Sequence, residues 1–307
     1  MQYNCDIIRT NTKGEDVMKK LKKAVIIILI ITLNLAALGG IWHIVVRKQS
    51  EKYNLITLDT SNLPEPITEP EVDSFIQLSQ VNMHYRIYGH GKQPLILIHG
   101  NGGSVKSLEE AASYLANDYT VYLPESRCHG QSSDPGEISY RLMASDFVEF
   151  AEALNIQKPL IMGHSDGGIN ALTIAAEYPD FPGAIISCGA NSHPSKFKPY
   201  FTLMVKFNNL IHKDKLNDMM LELPDFTEDY LARITCPTYI VAGEYDIMWL
   251  SDSVYLHNAV KDSDFSIIRL ANHGSYMSQD GRQAYVLAKS WFENVKIEGN
   301  IYDQGND

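Results

Sequence analysis

From residue 72 onward the chain alternates two kinds of apolar pattern. Runs at about 74–79 and 82–88 alternate apolar and polar positions, the period of a strand with one wetted face, and predict an antiparallel edge hairpin. Runs at about 94–99, 119–124, 158–163, 184–189, 237–242 and 265–270 include stretches that are apolar without a break, such as Leu95, Ile96, Leu97 and Ile98. That is the pattern of parallel strands buried on both faces. Helical spacing fills the gaps at about 105–117, 140–155, 166–178, 251–260 and 280–295. Strands alternating with helices predict an α/β fold, a mostly parallel eight-stranded sheet with helices on both faces.

One stretch breaks the alternation. Residues 192–234 carry Pro194, Pro199 and Pro224 among amphipathic pieces, and an insertion of this length between core strands predicts a small helical cap over the strand ends. Its aromatic and methionine side chains could line a pocket. At helical spacing, packing against the core is the expectation for most of them. Residues 49–71, polar and rich in proline, read as an extended linker. The globular domain is expected over 72–298, and 299–307 as a flexible tail.

The amino-terminal pattern differs in kind. Residues 24–46 form an apolar run with no Asp, Glu, Lys or Arg, long enough to cross a bilayer as a helix. Lys19, Lys20, Lys22 and Lys23 precede it, which predicts a cytoplasmic tail at 1–23, a transmembrane signal anchor at 24–46 and an extracytoplasmic domain beyond. Secretion after cleavage near Ala37 and Gly39 is the competing reading. Met18 also resembles a natural start, which would make residues 1–17 an extension.

Composition narrows the classes. The 45% hydrophobic and 21% charged shares are those of an ordinary globular protein. A formal charge of −11 argues against a nucleic-acid partner. Only three of the 37 acidic residues lie before residue 49, against eight of the 26 basic ones, so the rest is more acidic still. Cys128, Cys188 and Cys236, an odd number past the anchor, suggest small buried hydrophobes more than a disulfide framework. No zinc-type Cys/His spacing, P-loop or dinucleotide fingerprint occurs, so no metal or cofactor is expected.

The chemistry concentrates where strand 158–163 breaks into Gly163, His164, Ser165, Asp166 and Gly167. A G-x-S-x-G turn between a buried strand and a helix lifts the serine hydroxyl out of the sheet, and its glycines avoid clashes that a Cβ would create. Ser165 is the expected nucleophile. It needs a base and a group to orient that base. His273 follows one strand end and Asp246 another, in the order Ser, Asp, His of this architecture. Glu244 is the fallback acid, and Asp252 also competes. The other histidines lack such a context; His99 and His129 belong to glycine-rich turns and His164 to the elbow itself. An oxyanion hole is expected from the backbone N–H of Asp166, at a helix start, and of Asn101 in the loop His99 to Gly103.

These motifs resemble the α/β-hydrolase superfamily over about 72–296: the His-Gly-x-Gly loop, the Gly-x-Ser-x-Gly elbow, Gly243-Glu244-x-Asp246 and the late Asn272-His273. Residues 125–133 are similar to the superfamily's Asp-x-Arg-Gly-x-Gly-x-Ser loop, with Glu125 and Cys128 as departures. The elbow region, with Gly189 to Asn191, is similar to the valacyclovir-hydrolase and biphenyl-hydrolase-like branch. There the acidic residue after the nucleophile contacts the ammonium group of amino-acid esters. Carried to Asp166, the resemblance implies a cationic acyl group, although the cap here is shorter.

The sequence thus predicts a membrane-tethered serine hydrolase acting on a small-molecule substrate: a carboxylic ester, lactone, thioester or amide. Carbon–carbon bond hydrolysis of diketones is a rival within the superfamily. A ligand-binding sensor on the same scaffold is a rival from another class.

Overall fold

A computed structural model describes the backbone of residues 3–295 and the side chains of 21–295, apart from those of residues 26, 30 and 33–35. The predicted tail at 299–307 lies outside the described residues, as do the side chains of 1–20. The chain divides into two units, Met1–Lys52 and Tyr53–Asp307.

The first unit is one helix, α1 (Tyr3–Ser50). Among the described residues no helix is long and apolar enough to cross a membrane. The span expected over 24–46 includes side chains that lie outside the described ones, and the structure does not support it.

The second unit is a doubly wound sheet. Its strands are β1 (Leu55–Ile56), β2 (Val72–Gln77), β3 (Asn82–Tyr88), β4 (Gln93–Ile98), β5 (Tyr119–Pro124), β6 (Leu160–His164), β7 (Ala184–Cys188), β8 (Thr238–Tyr245) and β9 (Asp264–Asn272). Their order across the sheet is β1-β9-β8-β7-β6-β4-β5-β3-β2. β2 pairs antiparallel with β3, as the alternating runs predict, and β3 also runs antiparallel to β5. All the remaining pairings are parallel.

The sheet has nine strands among the described residues, not the predicted eight. The extra one is β1, inside the expected linker, which pairs Leu55 with Ile267 and Ile56 with Ile268. Ile67 N–H also donates to the Ser113 carbonyl. Part of the 49–71 segment therefore lies along the sheet edge and is no free tether. Two paired residues in a polar context leave too short a pattern to read in advance.

Helices α2 (Glu109–Leu115) and α9 (Gly281–Phe292) cover one face, while α3 (Tyr140–Ala153), α4 (Asp166–Glu177) and α8 (Leu250–Ala259) cover the other. The unbroken apolar strands are what this requires, because successive side chains point to opposite faces. Ile96 and Ile98 join the α3–α4 core, and Leu95 and Leu97 the α2–α9 core. Helix starts are capped as their sequence dictates: Ser139 accepts from Leu142 N–H for α3 and Asp280 from Arg282 N–H for α9.

The insertion folds as the predicted helical cap, with α5 (Pro199–Ile211), α6 (Lys215–Glu222) and α7 (Glu228–Leu231). Its side chains depart from expectation. Val205, Met219 and Met220 are buried, but Tyr200, Leu203, Met204, Phe207, Leu210 and Ile211 of α5 are exposed. The cap is stitched to the loop after β8. Phe197 pairs with Met248 in an antiparallel bridge, Lys198 N–H donates to the Ile247 carbonyl, and Trp249 N–H donates to the Lys196 carbonyl. Cys128, Cys188 and Cys236 are all free, with only Cys188 fully buried.

Candidate active site

Ser165 sits between β6 and α4 at φ 57°, ψ −117°, a conformation that a β-substituted residue adopts only when its surroundings impose it. The packing supplies that constraint. A Cβ on Gly163 would lie 2.0 Å from the Gly167 carbonyl oxygen, so only glycine lets the strand leave and the helix return this closely. Ser165 N–H donates to the Cys188 carbonyl on neighbouring β7, which fixes the turn to the sheet.

The three side chains singled out from sequence come together from three strand ends. Ser165 Oγ lies 2.9 Å from His273 Nε2, and His273 Nδ1 lies 2.6 Å from Asp246 Oδ1. Asp246 is 4% exposed. Burial pushes its carboxyl up, but the His273 charge, the His273 hydrogen bond and two backbone donors outweigh it and hold the carboxyl below its ordinary range. Those donors are Gly243 N–H to Oδ2 at 3.1 Å and Ile247 N–H to Oδ1 at 2.7 Å. An ionised Asp246 fixes the proton of His273 on Nδ1 and leaves Nε2 free to accept from Ser165.

The competing acids have other partners. Glu244 Oε2 accepts from Leu270 N–H at 2.8 Å. Asp252 takes the backbone N–H and hydroxyl of Ser192. His164 is buried, and its Nε2 donates to the His273 carbonyl at 2.6 Å. It thus holds the backbone of the histidine that faces Ser165. His99 bonds the Gly100 carbonyl at Nδ1 and accepts Ser126 N–H at Nε2, the backbone duty its turn predicts.

The loop His99 to Gly103 lies over the elbow. A Cβ on Gly100 would meet Ser165 Cβ at 3.1 Å and the His164 carbonyl at 3.2 Å, so the loop approaches the serine as closely as backbone can. Asn101 N–H and Asp166 N–H have no hydrogen-bond acceptor among the described residues. The helix start at Asp166 adds positive potential. Two free donors beside Ser165 are what an anionic oxygen requires.

Sequence reading did not reach the surroundings of the Asp166 side chain. It is buried, and Asn101 Nδ2 donates to its Oδ2 at 3.0 Å and to the Leu216 carbonyl in the cap at 3.2 Å. Burial pushes the Asp166 carboxyl up, and the Asn101 amide, the nearby Tyr140 hydroxyl and the His129 and His273 imidazoles offset only part of that. Tyr140 also lines a cavity of about 420 Å³ with Thr173, Leu223, Phe226 and Tyr230. Lys198, at the entry to the cap, donates from Nζ to the Asp246 carbonyl at 2.5 Å. None of these contacts has a local sequence signal, because each joins residues far apart in the chain.

The loop around Glu125 is held by buried polar contacts. Glu125 is buried and accepts from Val105 N–H at 3.0 Å. Arg127 is fully buried and bidentate on Asp146, at 2.6 and 2.7 Å. Among the described residues no cluster of His, Cys, Asp and Glu could hold a metal ion.

A serine on a strained turn, ahead of a helix and at the carboxyl edge of a doubly wound sheet, defines an α/β-hydrolase architecture. Residues 93–226 match the family model described as alpha/beta hydrolase fold. Esterase YbfF of Escherichia coli K12 is 34% identical over 87 residues, which cover 28% of this chain and 34% of that protein. The human serine hydrolase BPHL is 25% identical over 239 residues, 66% of this chain and 80% of its own. The chain spans about a third of the length of the bacterial esterase relatives it matches. A solved thermophilic esterase from Thermogutta terrifontis shares the fold at a TM-score of 0.59 and 20% identity, over 72% of this chain and 98% of that one.

Proposed function

We propose that the chain is a serine hydrolase that cleaves a small carboxylic ester, lactone, thioester or amide through an acyl-enzyme. The observation that carries this is the unbroken line from Ser165 Oγ through His273 to Asp246, with spacings of 2.9 and 2.6 Å. In this reading Ser165 Oγ attacks the substrate carbonyl carbon as His273 Nε2 takes its proton. Asp246 keeps His273 in the required tautomer and stabilises the imidazolium. The backbone N–H groups of Asn101 and Asp166 hold the oxyanion. His273 then returns the proton to the departing alcohol, thiol or amine. Water, deprotonated by His273, attacks the acyl carbon and releases the carboxylic acid and Ser165.

The test is direct. Wild-type chain should label with a fluorophosphonate probe and hydrolyse nitrophenyl esters, and Ser165→Ala should do neither. Probe labelling without turnover on any ester, thioester or amide would point instead to a ligand sensor, and turnover confined to a vinylogous diketone to carbon–carbon hydrolysis.

Two finer statements belong to this proposal. Asp166 is the group that would face an ammonium on the acyl part, once Asn101 shares or yields its place. The domain is held at the membrane by residues 24–46. Support for the second comes from the run of 24–46 without Asp, Glu, Lys or Arg in the sequence. Carbonate extraction of membranes from expressing cells should leave the full-length chain in the pellet; release into the supernatant would remove the anchor from the model of function.

A further inference from the structure

Helix α5 carries an apolar stripe on its wrong side. Tyr200, Leu203, Met204, Phe207 and Ile211 recur at i, i+3, i+4, i+7 and i+11, the spacing of a helix face that normally meets a core. The face that does meet the domain is a different one, with Val205 buried and Phe201 packed beside Met220 and Met248. The outer stripe is 50–70% exposed, and Leu210 beside it reaches 83%. Six large apolar side chains on one exposed helix form a contiguous patch of the kind that marks an interaction surface.

The charge around the patch says what covers it. Residues 193–213 contain four lysines, Lys196, Lys198, Lys206 and Lys213, and no Asp or Glu, in a chain whose formal charge is −11. Lys196, Lys206 and Lys213 are exposed and make no ion pair among the described residues. The nearby carboxylates are engaged. Asp214 caps α6, Asp218 accepts from Asn209, and Lys215 pairs with Asp134. A second copy of the same surface would set Lys206 and Lys213 against themselves. Neutral apolar ligand would leave the lysines without a role.

We propose that the outer face of α5 docks on an anionic phospholipid surface, with Leu203, Phe207, Leu210 and Ile211 entering the headgroup boundary and Lys206 and Lys213 against lipid phosphates. An exposed apolar stripe flanked by lysines is the pattern of an interfacial helix. The inference goes beyond the proposed hydrolysis and is independent of it, since no residue of the Ser165 site enters it. The cap entry at residues 196–198 is bonded to the loop that carries Asp246. Docking would therefore act on an element bonded to that loop.

The test uses the full-length chain in bilayer nanodiscs, one set of phosphatidylcholine alone and one containing phosphatidylglycerol, with hydrogen exchange read peptide by peptide. Amides of 200–211 should exchange several-fold more slowly on the anionic discs than on the neutral ones, and high salt should abolish the difference. Lys206→Glu with Lys213→Glu should abolish it too, while hydrolysis of a water-soluble nitrophenyl ester stays unchanged and reports an intact fold. Equal exchange on both lipids would overturn the proposal. So would protection on neutral discs that rises with protein concentration, the outcome a second copy of the chain would give.

Discussion

The Asn101 amide and the Asp166 carboxylate are hydrogen-bonded at 3.0 Å, across 65 residues of sequence. The same amide nitrogen reaches the Leu216 carbonyl in the cap. One side chain thus joins the loop His99 to Gly103, the residue after Ser165 and the cap. Asn101→Ala removes these bonds but keeps the backbone N–H. On a small ester it should lower kcat by less than about tenfold, well short of the roughly 10²–10³ expected for loss of an oxyanion donor. Steady-state kinetics on nitrophenyl acetate decide the matter; a thousandfold fall would assign the stabilisation to the side chain.

Asp166→Asn separates the two duties of residue 166. Its N–H survives the change, so turnover of neutral esters should persist. If the carboxylate receives a substrate ammonium, the kcat/KM preference for α-amino esters over their des-amino counterparts should drop by about 10–100-fold, the range of one hydrogen bond to a charged group. An unchanged preference would end the ammonium reading.

Asp246→Asn tests the orientation of His273. The asparagine amide oxygen is an uncharged, weaker acceptor for His273 Nδ1–H, and the amide can instead face the ring with its own N–H, which favours the wrong tautomer. The fall in kcat should be on the order of 10⁴. Combining it with Ser165→Ala should cost no more than Ser165→Ala alone, because the two act as a unit. Additive losses would mean that Asp246 acts elsewhere.

Acid should destabilise the fold through its buried imidazoles. His99 and His164 are each held down to about 4, first by burial and then by the charge of His129 and His273 respectively. In the unfolded chain both would titrate near the ordinary 6.5. Between those values the unfolded state carries more protons, so stability rises with pH and is lost on acidification from 6.5 toward 4. Each histidine can shift the unfolding equilibrium by up to about tenfold per pH unit in that window. Asp166, raised by burial, works the other way at its lower end. Thermal melts from pH 7 to 4.5 should show falling Tm, and His164→Gln, which can still donate to the His273 carbonyl, should flatten the slope. A pH-independent Tm would refute this.

Much of the architecture was legible because each signal was local. Unbroken apolar runs marked strands buried on both faces, and Gly163 to Gly167 marked a turn whose geometry only those residues tolerate. Asp246 was separable from Glu244 by its place beyond the strand, and the structure shows the other reason: Glu244 is committed to Leu270 N–H. What escaped was set at a distance. Leu55 and Ile56 become a strand only because β9 offers them an edge, and Asn101 finds Asp166 only once the sheet has formed. In α5 the periodicity was readable but not its direction, since a helix with two apolar faces does not announce which one the domain takes.

The bridge between Phe197 and Met248 gives the molecule a property that its division into sheet and cap conceals. Lids on this scaffold invite treatment as exchangeable modules, to be swapped for new specificity while the catalytic floor stays fixed. Here the seam runs through the floor: Lys196 to Lys198 hold residues 247–249 and the Asp246 carbonyl. A chimera cut at the apparent start of the insertion would take the acid's support away with the lid, so a working transplant must begin after residue 198.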